Sequence, residues 1–274
     1  MKVLRRLRQD WVLYAMLSLP LLYFFIFHII PLYGMKLAFQ DYRILGDHVW
    51  VGWKHFKTLF SSPAFTSVLQ NTIIISLMKI VFVFPIPIML SLLINEVRSS
   101  KYRKYVQSVV YLPHFLSWVV IAGIWISLLN PAEGGVNLIA NFFQLPSVDY
   151  MTSKEHIRWV LVFSEIWRSA GWDSIIYLAA IMKISPGLYE AAKIDGATRL
   201  QQMRYITLPH LYSTVVTVFI LNLGFFMNAG FDQVFNFMND SIISVVDILD
   251  TYVYRIGIGN GQFAYATAAS LFKG

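Results

Sequence analysis

Apolar residues along this chain gather in long runs rather than in alternating or heptad patterns. A helix needs about 20 residues to cross the hydrocarbon of a bilayer. Runs that approach or exceed this length occupy Trp11–Met35, Asn71–Ile94, Val106–Leu129, Ile157–Met182 and His210–Phe231, and a sixth begins near Gln262. They predict an all-α, polytopic membrane protein of six transmembrane helices, the sixth truncated. From Gln262, about twelve residues rise about 18 Å as a helix, against a core of roughly 30 Å. The expectation is that the natural protein continues beyond Gly274 or that this chain is a truncated form. Pro20 and Pro31 predict kinks in the first run, and Pro85 and Pro87 require neighbouring helices to satisfy freed carbonyls in the second. A cleaved signal peptide would have a shorter apolar core and a small-x-small site, so the first helix is read as retained.

The polar segments between the runs set the topology. Lys2, Arg5, Arg6 and Arg8 precede the first run, Arg98, Lys101, Arg103 and Lys104 follow the second, and Lys183 to Arg204 joins the fourth to the fifth. Lys/Arg-rich short loops stay in the cytoplasm. Residues 1–10 therefore form a basic cytoplasmic terminus and 11–274 the membrane domain, with a cytoplasmic loop over 183–209. Lys36–Gln70, broken at Gly52, Ser61, Ser62 and Pro63, reads as external with short helices. So do Asn130–Lys154 and Asp232–Gly261. Lys36, Arg43, Lys54 and Lys57 oppose the rule in the first of these, partly offset by Asp41 and Asp47.

Composition agrees. The chain is 57% hydrophobic and 14% charged, whereas soluble domains are about 25% charged. The net charge of +7 sits in short clusters between apolar runs, which assigns it to topology rather than to nucleic acid. Cysteine is absent, which excludes disulfides, a thiolate nucleophile and Cys-ligated metal. The six histidines lack metal-ligand spacing, and no Walker A sequence occurs, so ATP would have to be bound by another chain.

The 183–209 loop carries the most specific pattern. Ser185 and Pro186 suit the start of a short helix, Gly196 its left-handed end, and Thr198 with Gln201 the capping box of a second helix, with Pro209 at its exit. Glu190-Ala191-Ala192, then Gly196 after three residues, then Ile206, Leu208 and Pro209 after nine more, resemble the cytoplasmic signature of type I ABC importer permeases. Ile194, Asp195 and Ala197 complete its extended form. Val51–Phe56, Asn71–Thr72, Asp247–Arg255 and Tyr265–Phe272 resemble the carbohydrate-uptake group, and within it the subgroup handling complex or plant polysaccharide fragments in Gram-positive bacteria.

The resemblance implies a sugar or oligosaccharide permease in a bacterial cell membrane, forming half of a translocation pathway. Glu190, Ala191, Ala192, Asp195, Gly196, Ala197, Ile206, Leu208 and Pro209 would couple it to ATPase. Implied partners are a second homologous permease, two ATPase subunits and an extracellular solute-binding lipoprotein. The permease itself would be no enzyme and hold no cofactor, the ATP and magnesium belonging to the ATPase chains. A non-sugar solute is the alternative within the family.

Lys79, Glu165, Arg168 and Asp173 lie in apolar runs, where ionisable groups face a bundle interior or a cavity. Glu165 and Arg168, three apart, have the spacing to pair on one helical face. Asn222 and Asn228 have the chemistry to bond sugar hydroxyls or neighbouring helices. Trp118 and Trp125, seven apart, share a face that suits sugar stacking or interfacial packing. An ion-coupled transporter would show matching broken spans in two halves, and a membrane enzyme convergent nucleophilic or metal groups; neither pattern is present.

This topology is tested by single cysteines on the cysteine-free background. Those at Ser99 and Thr198 should resist a membrane-impermeant maleimide added to intact cells, while those at Ser62, Ser147 and Asn239 should react. Labelling at Thr198 would invert the orientation.

Overall fold

The computed structural model describes residues 10–43 and 48–273. The basic cluster Lys2, Arg5, Arg6 and Arg8, the acidic Asp47 and the terminal Gly274 lie outside the described residues. Three helices have the length and apolarity to cross a bilayer by themselves: Trp11–Phe39, Pro63–Glu96 and Arg199–Gly224. Two further helix pairs pass the same test only when each pair is taken together: Ser100–Phe115 with Trp118–Leu128, bent by 104°, and Ile157–Ile181 with Pro186–Ile194, bent by 73°. The sixth apolar run forms the helix Phe263–Lys273.

Prolines shape these helices in a repeated way. Pro31, Pro85 and Pro209 each follow a π-helical turn, at Phe25–Ile29, Lys79–Val83 and Met203–Thr207. The residue before each proline donates its N–H five residues back, Ile30 to Phe25, Phe84 to Lys79 and Leu208 to Met203. A proline ring collides with the carbonyl four residues earlier. The wider turn carries that carbonyl aside and keeps the helix running. The residue before each of these prolines thus keeps a bond within its own helix. For the same reason the helix that carries the fifth span begins at Arg199, ahead of the expected His210, because Pro209 does not interrupt it.

The third run departs most from expectation. It is not one straight span: Pro113 lies in a 3-10 turn at Leu112–Phe115, and Ser117 caps a new helix by accepting from the Val120 N–H.

The described residues form two compact units, one from those within 10–65 and 252–273, the other from residues 66–251. In the first, no side chain of Trp11–Phe24 is buried, as suits a helix solvated by lipid. An antiparallel ladder of two residues per strand, Gln40–Asp41 with Val49–Trp50, departs slightly from the all-α expectation. Phe39 gathers Trp50, Trp53 and Phe56 within 5.7 Å. Lys54 donates to Asp41 at 2.7 Å, and His55 lies 3.1 Å from the same carboxylate. The Lys54 hydrogen bond holds the Asp41 carboxyl below its usual range. One of the cations that oppose the positive-inside pattern is thereby neutralised locally. The small side chains Ala264, Ala266, Ala268 and Ala269 let Phe263–Lys273 pack closely against Tyr33–Phe39 and Lys54–Ser61.

In the second unit, Ile157–Ile181 is the central helix, against which Pro85–Glu96, Ser100–Tyr111 and Leu208–Gly224 pack. Glycine decides one of these crossings. A β-carbon on Gly171 would overlap the backbone carbonyl of Val110, so the two backbones touch there. Residues 232–251, expected as an external loop, fold inward as short helices. Val234, Phe237, Ile242, Val246 and Ile248 join Ile75, Ala122 and Leu161 in one buried cluster. Their intermittent spacing hid them, because Asp232, Asn236, Asn239 and Asp240 fall between. Asn71 donates to the Ser244 and Asp247 carbonyls, and Arg158 reaches both Val245 and Asn71.

Gly171→Ala should lower the thermal midpoint of the detergent-solubilised protein by the equivalent of about 1–3 kcal/mol, the usual cost of overpacking. Gly123→Ala, which meets nothing within 4 Å, should leave it unchanged. Equal midpoints for the two variants would contradict the close crossing.

Candidate functional site

The cytoplasmic signature folds as two helices joined by a tight turn. Pro186 opens Pro186–Ile194 from within its first turn, while Ser185 holds the N-cap position without a side-chain bond, contrary to the capping expected of it. At the other end Gly196 has φ +79°. Its N–H bonds to the Lys193 carbonyl at 3.1 Å, and the Ala197 N–H to Ala192 at 2.8 Å. This pair of bonds is a Schellman motif, which needs a left-handed residue that only glycine supplies cheaply. Thr198 and Gln201 then form the expected capping box.

Beyond it the chain runs without interruption from Arg199 to Gly224. Tyr189 and Thr207 hydroxyls, 2.9 Å apart, tie the two helices together. Ile206 packs beside Tyr177, Ile181, Ile184 and Leu211. Arg199 meets Glu96 at 3.2 Å, bringing the two basic loops of this unit to one end.

The rest of the signature faces outward. Glu190, Ala191, Asp195 and Gly196 are exposed, as are Leu208 and Pro209, with Ala192 and Ala197 half-buried. Ile194 is 87% exposed and Leu200 72%.

Within the same unit lies a cavity of about 750 Å³. Glu165, Ser169, Trp172, Asp173 and Ile176 of the central helix border it, at the spacing of one helical face. Trp118, Asn222 and Asn228 face it from other segments. Asn222 donates to Val218 of its own helix, while Asn228 lies beyond the helix end rather than in the span expected.

Lys79 anchors the cavity wall. Its Nζ reaches Glu165 Oε2 at 3.0 Å, the Ala229 carbonyl at 2.8 Å and Gln233 Oε1 at 2.6 Å. Ser169 donates to the other Glu165 oxygen, and Gln233 donates onward to Leu161 and Ser164. Glu165 therefore pairs with Lys79 rather than with Arg168, whose guanidinium lies 4.9 Å over the Trp118 ring. A lysine 86 positions away offers a tighter site than the adjacent turn, since it approaches end-on from a facing helix. Gly230, at φ +97°, leaves room for this ammonium, because a β-carbon there would stand 2.8 Å from Nζ.

The cavity thus gathers Trp118, Glu165, Asn222 and Asn228, with Arg168 behind Trp118. Trp125 is not among its lining residues: two helical turns beyond Trp118, it packs against the buried cluster. Sequence reasoning missed Trp172, Gln233 and Gly230. The helical spacing from Glu165 to Trp172 was the available signal for the first. Gln233 and Gly230 sit where the pattern reads as loop.

Residues 84–251 match the family model described as binding-protein-dependent transport system inner membrane component. The chain is 42% identical to the polygalacturonan/rhamnogalacturonan transport system permease protein YteP of Bacillus subtilis (strain 168), over 99% of this chain and 86% of that one. It superposes with a TM-score of 0.93 and 40% identity on a chain of the crystal structure of a bacterial ABC transporter involved in the import of the acidic polysaccharide alginate. That match covers 99% of this chain and 93% of the other. A second crystal structure, of a bacterial alginate ABC transporter in complex with alginate pentasaccharide-bound periplasmic protein, gives a TM-score of 0.92 at 40% identity, covering 100% and 92%.

The Lys79 cluster has a thermodynamic signature. Lys79→Met strands the Glu165 carboxylate and should cost about 3–5 kcal/mol, whereas Lys79→Met with Glu165→Met removes both charges and should cost less. Thermal unfolding of Lys79→Met, Glu165→Met and the double variant measures this, and a double variant as unstable as the sum of the two single ones would refute the pairing.

Proposed function

This chain belongs to the binding-protein-dependent transport system inner membrane component family, and from that membership we propose that it is one permease half of an ATP-driven importer of oligosaccharides derived from acidic polysaccharides. The relatives named for polygalacturonan/rhamnogalacturonan and for alginate support this substrate class. The observation that carries the import mechanism is the outward-facing helix pair Pro186–Ile194 and Arg199–Gly224, fixed by the Gly196 turn and displaying Ile194. A separate ATPase receives this pair in a cleft. Glu190 meets its cationic or amide groups, Ala191, Ala192 and Ala197 allow close approach, and Asp195 and Gly196 shape the turn. Ile206 roots the pair in the bundle, and Leu208 and Pro209 extend the exposed surface beside it.

ATP and magnesium are bound by the ATPase subunits, so this chain performs no hydrolysis and needs no cofactor. A second permease completes the central pathway, and an extracellular binding protein delivers the sugar. The amino terminus is cytoplasmic. The Arg199–Glu96 pair supports putting the coupling loop on the same side as the basic loop after Glu96. The sugar passes through the 750 Å³ cavity, with Asn222 and Asn228 bonding its hydroxyls.

Placing a branched side chain at Gly196 imposes a left-handed backbone penalty on the order of 1–2 kcal/mol and turns the two helices apart. Gly196→Val and Glu190→Lys should each abolish uptake of oligogalacturonides in cells expressing the whole importer, while membrane insertion and recovery of the second permease persist. Co-purification of the ATPase should fall. Wild-type uptake by both variants would refute the coupling role.

A further inference from the structure

Several polar groups on the cavity wall are already occupied by their own chain. Lys79 has three acceptors, Glu165 receives Lys79 and Ser169, and the Ser169 hydroxyl is spent on Glu165. Asp173 is different. It lies within the central membrane-spanning helix, borders the cavity and is exposed. Among the described residues its carboxylate has no hydrogen bond and no ion pair. Arg168, the cation on the same helix, is engaged over Trp118. An ionised group in a membrane span without a partner is costly and marks a functional position.

Its neighbour Trp172 also borders the cavity and is held rigidly. The His114 ring stacks on one indole face at 4.5 Å and 3°, and Phe115 meets the indole at 83° and 5.5 Å. With both in place, Trp172 is still 41% exposed.

We propose that Trp172 and Asp173 form a sugar-ring subsite, in which the Asp173 carboxylate accepts hydrogen bonds from two adjacent hydroxyls of a pyranose while the indole face opposite His114 carries the ring's C–H surface. The subsite rests on the oligosaccharide-import function stated above and specifies what part of the ligand it takes. A carboxylate has two oxygens, roughly four lone-pair sites and no proton to give, so it suits a paired-hydroxyl edge. Hydroxyl-to-carboxylate bonds are charge-assisted and among the strong ones. A second carboxylate at this point would meet like-charge repulsion in a region of low dielectric. A uronic ring bound here therefore presents its hydroxyl edge to Asp173 and directs its acid group away. The pre-set indole adds a large apolar face at little entropic cost.

The test uses the whole importer, permease pair, ATPases and binding protein, reconstituted in liposomes, with radiolabelled tetragalacturonide and neutral galactotetraose as probes. Asp173→Ala should raise the half-saturating concentration for the transported probe about tenfold or more. Asp173→Asn, which keeps one acceptor oxygen in the same shape, should raise it less. Trp172→Ala should act like Asp173→Ala, and Trp172→Phe should act more weakly. Unchanged half-saturation in both alanine variants would overturn the subsite while leaving the importer function intact. So would loss of the second permease from purified Asp173→Ala and Asp173→Asn complexes, since Asp173 would then serve that subunit. A wild-type assembly that takes up neither probe overturns the subsite and the import function together.

Discussion

An ammonium group inside a hydrocarbon slab has no water to turn to, so its own protein must supply every acceptor. Lys79 draws three, from Glu165 on the central helix and from Ala229 and Gln233 in the segment beyond the fifth span. Much of the second unit follows from satisfying it. Glu165 must face inward, which sets the rotation of Ile157–Ile181 and hence which residues border the cavity. Residue 230 must lack a β-carbon. Gln233, once bound to Lys79, turns its amide to Leu161 and Ser164 and draws the chain after Gly230 into the core. Within a stretch as polar as 232–240, Gln233 is buried because one charge requires a partner there, and Val234 and Phe237 are buried beside it.

Backbone demands are met just as locally. The π-helical turns ahead of Pro31, Pro85 and Pro209 let long helices carry prolines while the preceding residue stays bonded within the helix. One of these turns begins at Lys79 itself. The wider turn shifts the register of side chains after it, so the same device that accommodates Pro85 helps separate the faces of Pro63–Glu96.

Sequence legibility followed the range of each interaction. Gly196, Thr198 and Gln201 were readable because a Schellman turn and a capping box are closed within a few residues. Glu165, Trp118 and Asn222 were readable as polar or aromatic groups in apolar runs. Glu165 was assigned the wrong partner because helical spacing names only neighbours on the same helix, and Lys79 lies on another. The bend between Phe115 and Trp118 left a weak trace in Pro113 and Ser117, swamped by the apolar run around it. Gln233 and Gly230 had no local signal, since their environment is created by chain brought from elsewhere.

The uninterrupted course of Arg199–Gly224 makes the fifth span a lever arm. Arg199 stands at the docking end and Asn222 beside the cavity, 23 residues on, or about 35 Å at 1.5 Å per residue. For a rigid rod of that length, a tilt of about 5° at the loop sweeps the far end through about 3 Å, close to one hydrogen-bond length. A small angular change at the loop is thus geometrically sufficient to shift the Asn222 amide across the cavity wall by a hydrogen-bond length, with no need for the helix to bend or unwind.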